Sequence, residues 1–311
     1  MTTAKRPPNV IALKPLLEMA ERRRFANGSF SPRYTPMIAP VLQAAEEMKS
    51  PLIAQISEKE LIRYGITPEQ FGEEFYAQID RLRISVPVAL HLDHTKSLPT
   101  IAAAIDAGFT SVMIDASEMR LEDNIAATKE IVAYAHARGV SVEAELGMIG
   151  TTDFVETDTD EELYTDPEEA ELFVNATNVD ALAVSCGTAH GVYMVRQPRI
   201  DFERLQAIRA LTPVHLVLHG GSGVPAEMMR QAIALPGGGV SKVNIATDLE
   251  IALLRALGRE ERMTNGECLS LPADRLAAGR AAVKRVVEDK ITSFLGSGGM
   301  ATHSPNRRTD L

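Results

Sequence analysis

Cysteine is scarce. The 311-residue chain holds only Cys186 and Cys268, too few for a disulfide framework, so two free thiols and a cytoplasmic setting are expected. Positive charge is scarce as well: 32 Lys and Arg face 42 Asp and Glu, a formal charge of −10 at pH 7. No Lys/Arg tract is dense enough to follow a phosphate backbone, which argues against nucleic acid as a partner. Long apolar runs are missing too. None approaches the roughly 20 residues of a membrane helix, and the opening MTTAKRPPNV lacks the apolar segment of a secretory signal. A P-loop is excluded because no GKS or GKT occurs, and no GxGxxG follows an early strand, which argues against a dinucleotide-binding doubly wound sheet. No internal repeat is visible.

What is present is 45% hydrophobic residues, ample for two average domains or one large α/β barrel. Short β-rich runs alternate with helical patterns from end to end. The expected strands are Ser29–Ser31, Leu52–Ser57, Val88–His94, Ser111–Asp115, Ser141–Leu146, Ala181–Cys186, His215–His219 and Ser241–Ile245. Their interiors are apolar on both faces, as in PLIAQIS and VHLVLHG, which suits parallel strands covered by helices. Helix punctuation lies between them: Ser97 with Pro99, Asp166-Pro167-Glu168-Glu169, Asp201 and Asp248 read as starts, Gly108 and Gly139 as stops. Eight such units imply a single (β/α)8 TIM barrel. An extra N-terminal helix within residues 1–25 and a C-terminal helical extension over Asp274–Phe294 complete it. The barrel is expected to occupy residues 1–296, with a mobile acidic loop at 151–165 and a disordered tail at 297–311.

In such a barrel the chemistry gathers at the C-terminal strand ends. Strand 3 ends in Asp93-His94, strand 4 in Asp115, strand 5 carries Glu143 and Glu145, strand 6 leads to His190 and strand 7 ends in His219. Any lone histidine is more often a hydrogen-bonded structural residue. Three at neighbouring rim positions converge, and three neutral imidazoles leave a fourth position open, as in a catalytic zinc site. His91 shares a face with Asp93 by strand alternation and reads as a buried hydrogen-bonding residue; His136, His215 and His303 lie elsewhere. The glycine-rich LHGGSG after strand 7 and KVNIATD at strand 8 form the second cluster. Loops there commonly surround phosphate with backbone N–H groups, which makes Gly220, Gly221, Ser222, Asn244 and Thr247 candidate phosphate contacts. A metal beside a phosphate site suits Lewis-acid chemistry on a phosphorylated substrate, with Asp93 moving a hydroxyl proton. A Schiff-base route needs a desolvated lysine; Lys242, the only strand lysine, reads as too far from its strand's end.

HLDH, AIDAGFTSVMIDAS, EDNIAATKEIVAYAHARGVSVEAELG, YTDPEEA, GTAHGVY, LHGGSG and KVNIATD together resemble the class II, zinc-dependent ketose-bisphosphate aldolases that cleave fructose- and tagatose-bisphosphate. The resemblance runs from about residue 40 to 255, and more weakly beyond. It implies Zn2+ on His94, His190 and His219, with Glu145 as an alternate or supporting ligand, and Asp93 as the acid/base at the hydroxyl beside the scissile bond. It further implies that Ser57, Gly191, Gly220, Gly221, Ser222, Asn244 and Thr247 contact the sugar phosphate. A nearby monovalent cation (Na+ or K+) and a homodimer or homotetramer are also implied.

The departures concern the substrate. ELGMIGTTDF places Asp153 where the family has the glutamate that exchanges the carbon proton. Met194 replaces a lysine, with Arg196 nearby, and Phe30-Ser31 replaces a Phe-Asn pair. Leu271-Pro272-Ala273 stands where an Asp-Pro-Arg grips the far phosphate; a two-pronged clamp is not readily replaced, and Arg275 and Arg280 are the nearby basic residues. The expected activity is reversible cleavage of a ketose 1-phosphate or 1,6-bisphosphate to dihydroxyacetone phosphate and an aldehyde. The competing readings are a metal-dependent TIM-barrel hydrolase and a sugar-phosphate-binding paralogue without aldolase activity.

Overall fold

A computed structural model of the chain describes residues 6–149, 164–191 and 198–302. Eight strands form: β1 (Asn27–Phe30), β2 (Leu52–Ser57), β3 (Val88–Thr95), β4 (Ser111–Ile114), β5 (Ser141–Leu146), β6 (Ala181–Val184), β7 (His215–Leu218) and β8 (Val240–Ile245). They pair in chain order into a closed parallel barrel, which β1 completes by registering Gly28 with both Leu52 of β2 and Val243 of β8. Burial on both faces explains why the strands were legible as apolar runs. The first strand, β1, starts two residues and ends one residue earlier than expected. Its polar Asn27 and Ser29 are wholly buried and mask the pattern.

Helices wrap the barrel, and their starts follow local chemistry. Ser97 accepts from the Thr100 N–H, Asp166 from those of Glu168 and Glu169, and Asp201 from that of Arg204, each satisfying an orphan donor of a first turn. Asp248 is not a cap. The helix Thr247–Ala256 starts from Ala246, and Asp248 lies in its first turn, ion-paired to Lys290 at 2.7 Å. The C-terminal helix spans Ala273–Asp289 and continues as a π-helical turn, Lys290–Leu295. Beyond it, Gly299 and Ala301 donate their N–H groups to the Met48 and Lys49 carbonyls.

The barrel's interior is layered. At its N-terminal end, Ile53, Ala89, Met113, Ala181, Ala183 and Val217 pack with Leu13, Leu16 and Leu17 of the helix Leu13–Arg23. That helix is fastened to the strand starts: the Lys14 N–H donates to Ser141 Oγ and Asn27 Nδ2 to the Leu16 carbonyl. Above this apolar layer the inward positions turn polar, which is where the chemistry resides. Among the described residues no helix is long and apolar enough to cross a membrane.

Both cysteines are buried and free. Burial pushes the Cys186 thiol up to about 12 and that of Cys268 to about 11, so thiolate is scarce at neutral pH. A disulfide reagent such as DTNB is expected to titrate neither thiol in the folded chain and both after denaturation. A fast-reacting thiol in the native protein contradicts this packing.

Candidate active site

The site begins with an irregularity in β3. Simple alternation points His91 and Asp93 inward and His94 outward. The β3–β4 register instead slips between Leu92 and Thr95, and His94 adopts a left-handed φ of 35°, an uncommon conformation for a non-glycine residue. This bulge re-aims the side chain, so that consecutive residues Asp93 and His94 both serve the cavity. His94 Nδ1 is held by Asp115 Oδ2 at 2.9 Å, and Asp115 accepts from the Ser117 hydroxyl at 2.7 Å.

His219, just past β7, places Nε2 2.9 Å from Glu143 Oε1. His190 follows β6. The ring centres lie 4.8 Å apart for His94 and His190, 4.5 Å for His94 and His219, and 5.6 Å for His190 and His219. One ligand nitrogen from each falls within 4.8 Å of the others. His94 Nε2, His219 Nδ1 and Glu145 Oε2 are buried without a hydrogen-bond partner. Glu145 Oε2 lies 3.7 Å from His94 Nδ1 and 3.6 Å from His219 Nδ1.

This donor set fits a divalent metal ion of the zinc type. Three imidazoles converge, and two are oriented by carboxylates on their other nitrogen. The electrostatics agree for two of the three. Burial, together with the charge of His94, keeps His190 and His219 below the usual imidazole range, the neutral form a metal requires. Burial opposes charge on His94 too, yet Asp93, Asp115 and Glu145 raise it to about 10. Burial pushes Glu145 up to about 8, partly offset by His94.

Asp93 lies beside this cluster and is 4% exposed. Gln55 Nε2 donates to its Oδ2 at 3.1 Å, and Asn244 Nδ2 to both oxygens at 3.0 and 3.2 Å. Burial raises its affinity for a proton, but His94, His91, Lys242 and His219 together outweigh that and hold it well below the usual carboxylate range. It is a carboxylate, held in place by two amides.

The layer beneath Asp93 is charged. His91 Nδ1 bonds Ser111 Oγ at 2.8 Å, the structural role expected. Lys242 is completely buried, with Nζ 2.8 Å from Glu143 Oε2 and 3.8 Å from Asp93 Oδ1. The reading that it stands too far from the strand end is therefore corrected: its side chain climbs the inside of the barrel to the floor of the site. Its amine is engaged by Glu143 and by Asn244 Oδ1, 2.8 Å away.

The glycine-rich loop after β7 has two duties. Gly220 has a φ of 67°, and a Cβ there would collide with the Ala189 carbonyl; one at Gly221 would strike Val243. The Gly221 N–H already donates to the Asn244 carbonyl at 3.0 Å. Ser222 Oγ accepts from the Asp248 N–H at 3.2 Å, fixing the loop to the start of the helix at Thr247. Gly191, just after His190, has a φ of 111°. Ser57 ends β2 beside Asp93 in register and caps the helix Glu58–Tyr64 in a reciprocal box with Glu60. Asn244 faces Asp93 rather than the loop. Asp153, Met194 and Arg196 lie outside the described residues.

Sequence reasoning missed a charged cluster over the ends of β1 and β2. Buried Arg33 pairs with Glu60, 2.7 Å away, and with Glu250. The Ser31 hydroxyl donates to Glu60 at 2.7 Å, and Arg262 reaches Glu250 at 2.9 Å. Arg275 donates to the Leu257 carbonyl and Arg280 to that of Pro36.

Residues 11–300 match the family model described as fructose-bisphosphate aldolase class-II. The fructose-bisphosphate aldolase of Geobacillus stearothermophilus is 41% identical over 295 residues, 94% of this chain and 99% of that protein. The corresponding Staphylococcus aureus protein is 36% identical over 285 residues, covering 92% and 97%. Among solved structures, the YdjI aldolase of Escherichia coli K12 superposes with a TM-score of 0.78 at 32% identity, over 94% of this chain and 99% of that one. Campylobacter jejuni fructose-bisphosphate aldolase gives 0.74 at 26% identity, over 94% and 97%.

Proposed function

Because this chain belongs to the class-II fructose-bisphosphate aldolase family, and is therefore a carbon–carbon lyase, we propose that it reversibly cleaves a ketose 1-phosphate to dihydroxyacetone phosphate and an aldehyde. The observation that carries this is the adjacency of a three-histidine cluster and an ionised, amide-braced Asp93 on one bulged strand. Zn2+ held by His94, His190 and His219 would supply a Lewis acid for the substrate's carbonyl oxygen. Glu145 stands close enough to serve as an alternate ligand.

In the cleavage direction Asp93 takes the proton from the hydroxyl beside the bond that breaks. That oxygen becomes the carbonyl of the departing aldehyde, and the bonding electron pair stays with the phosphate-bearing half. A proton then returns at carbon, the role we assign to Asp153 from the family resemblance. The phosphate is assigned to Gly191, Gly220, Gly221, Ser222 and the helix start at Thr247, where backbone N–H groups and the positive end of the helix dipole favour an anion. At the far end Ala273 stands where the family resemblance places a clamp arginine, and buried Arg33 is committed to Glu60 and Glu250. The loss of that arginine supports an altered recognition of the aldehyde half.

The test is to incubate metal-replete protein with dihydroxyacetone phosphate in D₂O and then add aldehydes with and without phosphate. Deuterium should enter at the reacting carbon, and condensation should follow and stop with a chelator. Turnover without dihydroxyacetone phosphate would indicate a metal hydrolase instead. Binding with neither deuteration nor condensation would indicate a non-catalytic paralogue.

A further inference from the structure

Two amides flank the Asp93 carboxylate: Gln55 on one side and Asn244 on the other, each with its NH₂ toward Asp93. A primary amide is nearly symmetric in shape. Rotated by half a turn, either would present its oxygen to the carboxylate and repel it. What sets the orientation is the partner at the amide oxygen. For Gln55 that partner is the hydroxyl of Ser29, which donates to Oε1. For Asn244 it is Lys242, whose Nζ donates to Oδ1 at 2.8 Å. Both partners come from strand positions deeper in the barrel, and both are wholly buried.

The lysine is itself fixed. Glu143 lies 2.8 Å from Nζ through Oε2 and 3.1 Å through Oε1. A lysine buried in a barrel core needs such a counter-charge, but a counter-charge alone does not explain why its third contact is the oxygen of Asn244. An apolar residue at 242 paired with another at 143 would fill the same space at no desolvation cost. The polar version does something the apolar one does not: it leaves Asn244 a single acceptable orientation.

We propose that Lys242 is a positioning residue that acts through the Asn244 amide to hold the Asp93 carboxylate in place for proton transfer, with Ser29 doing the same through Gln55. This rests on Asp93 being the group that moves the hydroxyl proton. Lys242 touches no reacting atom. A misplacement of about 1 Å in a catalytic group can cost on the order of 10²-fold in rate, and an amide turned against the carboxylate is expected to displace it on that scale.

The experiment compares two reactions of the same site. Cleavage requires Asp93, whereas deuterium exchange at the carbon of dihydroxyacetone phosphate does not involve the hydroxyl proton. In Lys242→Met, with bound zinc confirmed by elemental analysis, cleavage kcat should fall on the order of 10²-fold. Carbon exchange should stay within about threefold, and in an Asp93→Ala background Lys242→Met should add almost nothing. If Lys242→Met folds poorly, the comparison passes to the other amide. Ser29→Ala probes the other amide with a smaller perturbation and should give a weaker loss of the same kind. Parallel loss of cleavage and exchange in a zinc-replete variant overturns the proposal, as does an undiminished effect in the Asp93→Ala background. Absence of exchange in the unmodified protein, or full cleavage by Asp93→Ala alone, would instead remove the functional reading beneath it.

Discussion

Replacing Asp93 by alanine is expected to lower cleavage by about 10²–10⁴-fold, the usual contribution of a positioned proton-transfer group, while zinc stays bound. The expectation follows from the surroundings of the carboxylate. It is ionised because several positive or proton-donating groups outweigh its burial, and it is aimed because two amides grip it. It belongs to no unpartnered nitrogen of the histidine cluster, so its loss removes a base and spares the ligands. Steady-state kinetics with zinc analysis on the same sample is the measurement. Cleavage within about tenfold of the unmodified protein would mean that another group moves the proton.

His219→Ala attacks the other half of the site. One of three imidazoles disappears, and Glu143 loses a partner at 2.9 Å, so the two remaining histidines should hold zinc too weakly to survive dialysis. Metal catalysis contributes several kcal/mol to such reactions, so activity should fall by about 10³-fold or more. Elemental analysis should show substoichiometric zinc. His215→Asn provides the contrast: its ring is paired with Glu21 at 2.8 Å near the opposite end of the barrel, and zinc and activity should both persist. Full zinc occupancy in His219→Ala would remove that residue from the ligand set.

The barrel was legible because its parallel strands are buried on both faces and most of them read as largely apolar runs. The rim histidines were legible because three of a scarce residue fell at equivalent strand ends. What escaped has physical causes. The inward aim of His94 depends on a bulge, and alternation alone predicts the reverse. The reach of Lys242 was misjudged because strand position locates a Cα, while a four-carbon stem carries the charge much farther. Gln55, Ser29 and Glu143 act at a distance in sequence from Asp93, so no local motif announces them. Arg33 has its two carboxylate partners 27 and 217 positions away, so only the fold reveals them. Asp248 resembled a cap because a helix does start there, two positions earlier than it suggested.

The helix Leu13–Arg23, seated across the strand starts, makes the barrel blind-ended. The rim is thereby left as the open side of the site. The Glu143–Lys242 pair lies below that rim and above the stopper, and neither side chain meets solvent. The barrel thus has two unlike ends, one sealed by apolar side chains and one lined with histidines and carboxylates.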